Sequence, residues 1–343
     1  MSAPAALIGS AASFLDAVER ASAAAALNRP VLVIGERGTG KELIAERLHR
    51  LSPRWSGPLV TLNCAALPEN LLDAELFGYD QGAFTGAGRA RPGRFEDADG
   101  GTLFLDEIAT LSPAAQERLL RVVEYGELTR LGSNRVIRVD VRVVGATNED
   151  LPALADGGRF RADLLDRLSF EVVTLPPLRA RADDIPLLAG HFGRRMAVEL
   201  GWAGFAGFTD AAAARLAAHD WPGNVRELKN VVERSLYRWG DAEAPVGAIV
   251  LDAFESPYRP GVALTRAVPL ILAANDAPPP AEPKPSLLDH ASVADLRVAV
   301  ANYERDILAA ALQKCRHNQR ATATALALTY DQLRHALKRH NML

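Results

Sequence analysis

Through the first half of the chain, short runs of consecutive apolar residues alternate with longer stretches of helical spacing. Val31-Leu32-Val33-Ile34, Val60-Thr61-Leu62, Leu103-Phe104-Leu105 and Val141-Arg142-Val143-Val144 are predicted strands. Near-continuous apolar runs suit strands buried on both faces, and their alternation with helices predicts βαβ units around a mostly parallel sheet. From about Arg179 to Gly240 helical periodicity continues without a convincing strand, which predicts a separate helical subdomain. Between about Glu255 and Pro285 the chain becomes rich in Pro and Ala around Pro278-Pro279-Pro280, the composition of an extended linker. Helical spacing resumes near Leu287. The expected organisation is an α/β domain over 1–176, a helical subdomain over 177–252, a linker over 253–286 and a C-terminal helical domain over 287–343. There is no internal repeat.

At 343 residues and 48% hydrophobic content, two or three packed domains are expected. Cys64 and Cys315 are too few for a disulfide framework, which points to a reducing cytoplasm. No uncharged apolar run reaches bilayer length, and Asp16, Glu19 and Arg20 interrupt the Ala-rich start before a signal-peptide core can form. A cytoplasmic protein without membrane insertion is expected. The formal net charge is −3, yet Lys314–Leu343 carries six Lys or Arg against one Asp, a basic arm on an acidic body. Such an arm suits nucleic acid, although basic surface helices are common.

Gly35-Glu36-Arg37-Gly38-Thr39-Gly40-Lys41 follows a strand and opens a helix. Glycines there let backbone N–H groups wrap phosphates, the helix N-terminus adds positive potential, and Lys41 reaches the terminal phosphate oxygens. Glu42 stands where Ser or Thr commonly ligates Mg²⁺, leaving the metal to Asp106 and water. In Gly100-Gly101-Thr102-Leu103-Phe104-Leu105-Asp106-Glu107 an apolar strand ends in two carboxylates, a costly arrangement unless they are used there. Asp106 can hold Mg²⁺ while Glu107 polarises the attacking water; a helix cap at Asp106 is the plainer alternative. Asn63 and Thr147-Asn148 close two further strands. Ligands of open α/β sheets bind outside the carboxyl ends of the strands, so these residues converge on one rim.

At the other end, Asn318 to Asn341 reads as helix, turn, helix, with the turn near Ala327-Leu328-Thr329 and Thr329 as N-cap. The second helix, from Tyr330, offers Gln332, Arg334, His335, Lys338 and Arg339 to a major groove, as a recognition helix does. A helical dimerisation hairpin is the alternative reading.

Gly82-Ala83-Phe84-Thr85-Gly86-Ala87 resembles the GAFTGA motif of sigma-54-dependent enhancer-binding activators, which are AAA+ ATPases. Glu75-Leu76-Phe77-Gly78, Phe160–Leu168 and Trp221–Leu228 resemble further blocks of that family, as does a phosphate loop ending in Lys41-Glu42. The likeness spans essentially the whole chain and is closest to the phage-shock branch, which lacks an N-terminal regulatory domain. It implies an AAA+ α/β core with a helical lid and a Fis-type helix-turn-helix, binding ATP and Mg²⁺. Two features depart from that helix-turn-helix: Ala327 occupies the usual turn glycine, and Thr322 and Thr324 replace the more typical Ala and Glu.

The resemblance further implies roles for individual residues. Phe84 and Thr85 would contact the sigma-54 RNA polymerase holoenzyme, and Arg161 and Arg167 would be arginine fingers reaching a neighbouring subunit of a hexameric ring. Arg226, following an Asn224 helix cap, would sense the γ-phosphate, and Asn63 would restrain Glu107. The helix-turn-helix would bind upstream enhancer DNA. With no regulatory domain expected, restraint would come from a phage-shock-type inhibitor in trans, for which Trp55 in a Pro/Gly-bounded loop is the candidate anchor; packing of Trp55 back onto the core is the alternative.

Overall fold

The computed structural model describes residues 7–84, 87–254, 296–314, 319, 322, 323, 326, 328 and 330–340. The chain divides into two compact units, Met1–Leu264 and Thr265–Leu343.

In the first unit, α1 (Ala12–Ala25), β1 (Val31–Ile34), α2 (Lys41–Arg50) and β2 (Leu59–Asn63) lead into α3 (Glu69–Phe77) and the short α4 (Arg94–Asp97). Then follow β3 (Thr102–Asp106), α5 (Pro113–Tyr125), β4 (Glu127–Thr129), β5 (Val136–Arg138), β6 (Arg142–Thr147), α6 (Leu151–Asp156), α7 (Ala162–Leu168) and β7 (Glu171–Thr174). The main sheet has the order β2-β3-β6-β1-β7, and every pairing in it is parallel. Four of its strands match the expected runs. The edge strand β7 was not expected, because its two central valines lie between Glu171 and Thr174 and give little apolar signal. The antiparallel β4–β5 hairpin, with three residues in each strand, also lacks a periodic signature.

Side-chain alternation assigns the two faces of the sheet. Leu103 and Leu105 pack with Leu32, Phe77, Phe95 and Leu164 on one side; Phe104 packs with Val31, Val33, Ile44 and Phe14 on the other. Each such side chain, fully buried, contributes roughly 1.5–3 kcal/mol of transfer free energy. With both faces covered, only the strand ends remain free to form a site.

The helical region contains α8 (Asp184–Glu199), α9 (Asp210–Ala218) and α10 (Asn224–Trp239), as the periodicity predicted. They close on Trp221, fully buried among Ile185, Leu188, Leu228 and Val232, with its indole N–H donating to the Leu216 carbonyl at 2.9 Å. Trp221 has φ +53°, an uncommon conformation for a bulky residue that this packing holds in place.

In the second unit, α11 (Leu296–Lys314) and the helix Tyr330–Arg339 share a small core of Leu308, Leu312, Ala323, Leu333, Ala336 and Leu337. Glu304 accepts from Arg339 and lies 3.1 Å from His340 Nε2. The expected linker lies outside the described residues except for its first two positions. Among the described residues no helix is long and apolar enough to cross a membrane.

Candidate functional site

The phosphate loop joins β1 to α2 at the carboxyl edge of the sheet. Gly38 and Gly40 take φ +79° and +99°, and a Cβ on Gly38 would lie 2.3 Å from the Gly223 carbonyl oxygen, so glycine is required there on two counts. Lys41 is buried, and its ammonium donates to the Gly35 carbonyl at 2.9 Å. Burial lowers its pKa, while Glu107 and Asp106 oppose that shift.

An open cleft of about 710 Å³ runs from this loop to the ends of β2 and β3, lined among others by Lys41, Glu42, Asn63, Asp106, Glu107 and Arg226. Asp106 ends β3, and Glu107 follows it at φ +53°, which turns its carboxylate away from the strand direction. The helix cap considered at Asp106 does not occur. Asn63 pairs in register with Asp106 and donates to it at 3.3 Å. With the Asn148 amide turned so that its nitrogen faces the carboxylate, that nitrogen lies 2.6 and 3.2 Å from the two Glu107 oxygens. Strand register thus sets Asn63 against Asp106, while the end of β6 brings the turned Asn148 amide to Glu107. Arg37 Nε lies 3.9 Å from Glu107. Thr147 is fully buried and its hydroxyl accepts from the Glu149 N–H.

The donor set fits Mg²⁺. Asp106 and Glu42 present hard carboxylate oxygens to the cleft, and among the described residues no group of three or more potential ligands forms a protein-only metal site. Mg²⁺ characteristically takes one or two carboxylates together with substrate phosphates.

Near the tip of the Gly82–Ala87 loop, Phe84 is 44% exposed, its ring centroid 5.0 Å from that of Tyr79. Gly82 has φ +84°, and its N–H donates to the Ala87 carbonyl at 2.9 Å, closing the base of the loop; Ala83 N–H donates to Asp80. Thr85 and Gly86 lie outside the described residues. Below the loop, Arg130 makes two bonds to Glu96, at 2.7 and 2.9 Å, and one to Asp80 at 3.3 Å.

Comparison with known proteins accounts for this combination. The Sigma-54 interaction domain matches residues 7–174, and the AAA+ ATPase lid domain matches 179–244. The chain is 51% identical over 337 residues to the Psp operon transcriptional activator of Escherichia coli K12, covering 98% of each. This chain is a sigma-54-dependent activator of the AAA+ ATPase family. It is also 44% identical to the Nif-specific regulatory protein of Azotobacter vinelandii, over 92% of this chain and 55% of that protein. Among solved structures, NtrX from Brucella abortus in complex with ATP matches with a TM-score of 0.66 and 29% identity, over 98% of this chain and 70% of that one.

The remaining candidates in this activator are dispersed. Arg161 bonds Asp163 at 2.7 and 3.0 Å, and Arg167 bonds Glu124 at 2.8 Å rather than the neighbouring Asp166. Neither lines the cleft of its own chain. Trp55 is 68% exposed and does not pack back onto the core. Its loop is nonetheless braced: Ser52 Oγ donates to the His49 carbonyl, and Arg54 binds Asp140 at 2.5 Å. In the second unit Gln332, Arg334, His335, Lys338 and Arg339 are exposed, while Thr329 and the Tyr330 side chain lie outside the described residues.

Several site residues have no signature in the sequence. Phe192, Val225 and Lys229 come from the helical lid to line the cleft. Arg179 donates to Glu36 at 2.5 and 2.8 Å and, foremost among its neighbours, holds the Glu36 carboxyl at a pKa of about 2. Asn224 is not a helix cap. It is the first residue of α10, follows Gly223 as the capping position, and sends its side chain to other segments.

Proposed function

We propose that this activator assembles as a homo-hexameric ring on upstream enhancer DNA and hydrolyses ATP to remodel the sigma-54 RNA polymerase closed complex, opening promoters of a phage-shock (envelope-stress) operon. The observation that carries the reading is that Phe84 is offered to solvent near the tip of a closed-base loop in the same domain as a complete phosphate cleft. An exposed aromatic between glycines is an apolar anchor on a hinge.

In this mechanism Gly35–Gly40 and Thr39 wrap the phosphates, Lys41 neutralises their charge, and Glu107 orients the attacking water, itself aimed by Asn148. Asp106, with Asn63 fixing one oxygen and Glu42 also lining the cleft, would hold Mg²⁺, which would supply neutralisation of the phosphate charge. Thr147 and Arg226 report the γ-phosphate to the sheet and the lid. Arg161 and Arg167, outward-facing on an isolated chain, stand as a trans-acting finger must. The exposed face of Tyr330–Arg339 reads a major groove, and Trp55, held out on a braced loop, anchors a phage-shock-type inhibitor.

The test is ATP turnover across protein concentration for wild type and Glu107→Ala, followed by sigma-54 binding with an ATP transition-state analogue. Turnover rising steeply with concentration, lost in the variant and accompanied by analogue-dependent sigma-54 binding supports the ring-forming activator. Flat turnover with no sigma-54 binding leaves a nucleotide-gated DNA-binding protein. Phe84→Ala should keep turnover and lose sigma-54 binding; lost turnover would mean the loop serves the cleft instead.

A further inference from the structure

Three segments distant in sequence meet where the phosphate loop adjoins the lid: Glu36 and Arg37 of the loop, Leu178 and Arg179 of the strand-to-lid connection, and the start of α10. Asn224, fully buried at φ +52°, accepts from the Leu178 N–H at 2.7 Å and donates to Glu36 at 3.1 Å and to the Arg37 carbonyl at 3.0 Å. The N–H groups of Val225 and Arg226 both donate to the Gly38 carbonyl, at 3.0 and 3.3 Å. The first N–H groups of a helix have no partner within it, so here the phosphate loop itself caps α10. Arg226 is thus carried by a helix whose N-terminus is docked on the loop that wraps the phosphates. On the outer side the dock is closed by the two-bond Arg179–Glu36 pair.

We propose that Arg179, Glu36 and Asn224 form a latch that fixes the lid to the phosphate loop and so positions Arg226 over the γ-phosphate. They are positioning residues, acting through Arg226, and the proposal rests on Arg226 as the γ-phosphate sensor. The two sides of the latch differ in burial. Asn224 is inaccessible, whereas the Arg179 and Glu36 side chains are 48% and 41% exposed. An exposed ion pair adds little to stability, so its removal tests positioning without unfolding the chain.

The experiment uses the full chain and compares Arg179→Ala, Glu36→Gln, Arg226→Ala and their doubles. It reads kcat, KM, the unfolding midpoint, and the ratio of the Kd for ADP to that for a non-hydrolysable ATP analogue. Arg179→Ala should lower kcat and that ratio each about tenfold, with KM rising no more than the analogue's Kd and the unfolding midpoint nearly unchanged. Arg179→Lys should restore part of the loss, and Arg179→Ala should add nothing to Glu36→Gln or, in the ratio, to Arg226→Ala, because residues acting as one unit are non-additive. Full activity of Arg179→Ala, a loss confined to KM, or losses that add to those of Arg226→Ala would overturn the latch. An Arg226→Ala variant with normal kcat and ratio would instead remove the sensor reading on which the latch rests.

Discussion

Asn63 Nδ2 donates to Asp106 Oδ2 at 3.3 Å, across a strand register that sets the two residues side by side. The adjacent carboxylate, Glu107, is reached from the opposite side by Asn148. The two amides thus serve different carboxylates, which in the proposed mechanism would hold the cation and orient the water respectively. Asn63→Ala is expected to raise the Mg²⁺ concentration for half-maximal turnover several-fold. Asn148→Ala should lower kcat by about 10–100-fold with the Mg²⁺ dependence unchanged, as loss of an orienting partner commonly does. Turnover measured over a Mg²⁺ titration separates the two, and identical profiles would contradict the division.

Arg161 and Arg167 pair locally with Asp163 and Glu124 and do not line the cleft of their own chain. Action in trans predicts complementation. Arg167→Ala and Glu107→Ala should each be inactive alone, yet an equal mixture should regain turnover near about a quarter of wild type, the share of intact interfaces in a randomly mixed ring. A mixture as inactive as its components would place Arg167 in cis or outside catalysis.

The Arg142 guanidinium, 3% exposed, donates to the carbonyls of Ala24, Ala25 and Arg29 at 2.9–3.0 Å. It thereby ties the last turn of α1 to the segment that leads into β1, adding a donor to carbonyls at and beyond the helix end. Burial lowers its pKa to about 10, so it stays charged at neutral pH. Arg142→Met removes the guanidinium's bonds to these carbonyls in a site closed to water. The expected loss is about 2–4 kcal/mol, read as a lower urea midpoint at unchanged slope.

The Cys64 thiol lies under the carboxylate pair. Burial foremost, then the charges of Asp106 and Glu107, push its pKa up to about 12. The thiol is therefore neutral at pH 8, and only the thiolate is strongly nucleophilic. Iodoacetamide treatment with peptide mapping should leave Cys64 unlabelled in the folded protein and label it fully in urea. Rapid native labelling would show that the turn after β2 opens.

Legibility in the chain followed the range of the interaction responsible. The phosphate loop could be read because its function lies in seven consecutive residues, Gly35–Lys41, flanked by a strand and a helix. Val60–Leu62 was within one residue of each end of β2 because its two apolar residues flank the exposed Thr61, the alternation of a strand covered on one face. β7 escaped because a four-residue edge strand owes its position to pairing with β1 rather than to its own pattern. Asn224 was legible as a residue beginning a helix, but its partners lie 46, 187 and 188 positions away.

By itself, then, the sequence determined the chemistry available: which loop can wrap phosphates, which carboxylates end a strand, which aromatic stands between glycines. Those features depend on neighbours along the chain. Only the tertiary structure decided which amide meets which carboxylate, which arginine closes on Glu36, and that the phosphate loop caps the lid helix. Those choices are made by parallel register and lid docking, which join segments whose separation along the chain carries no trace of their contact.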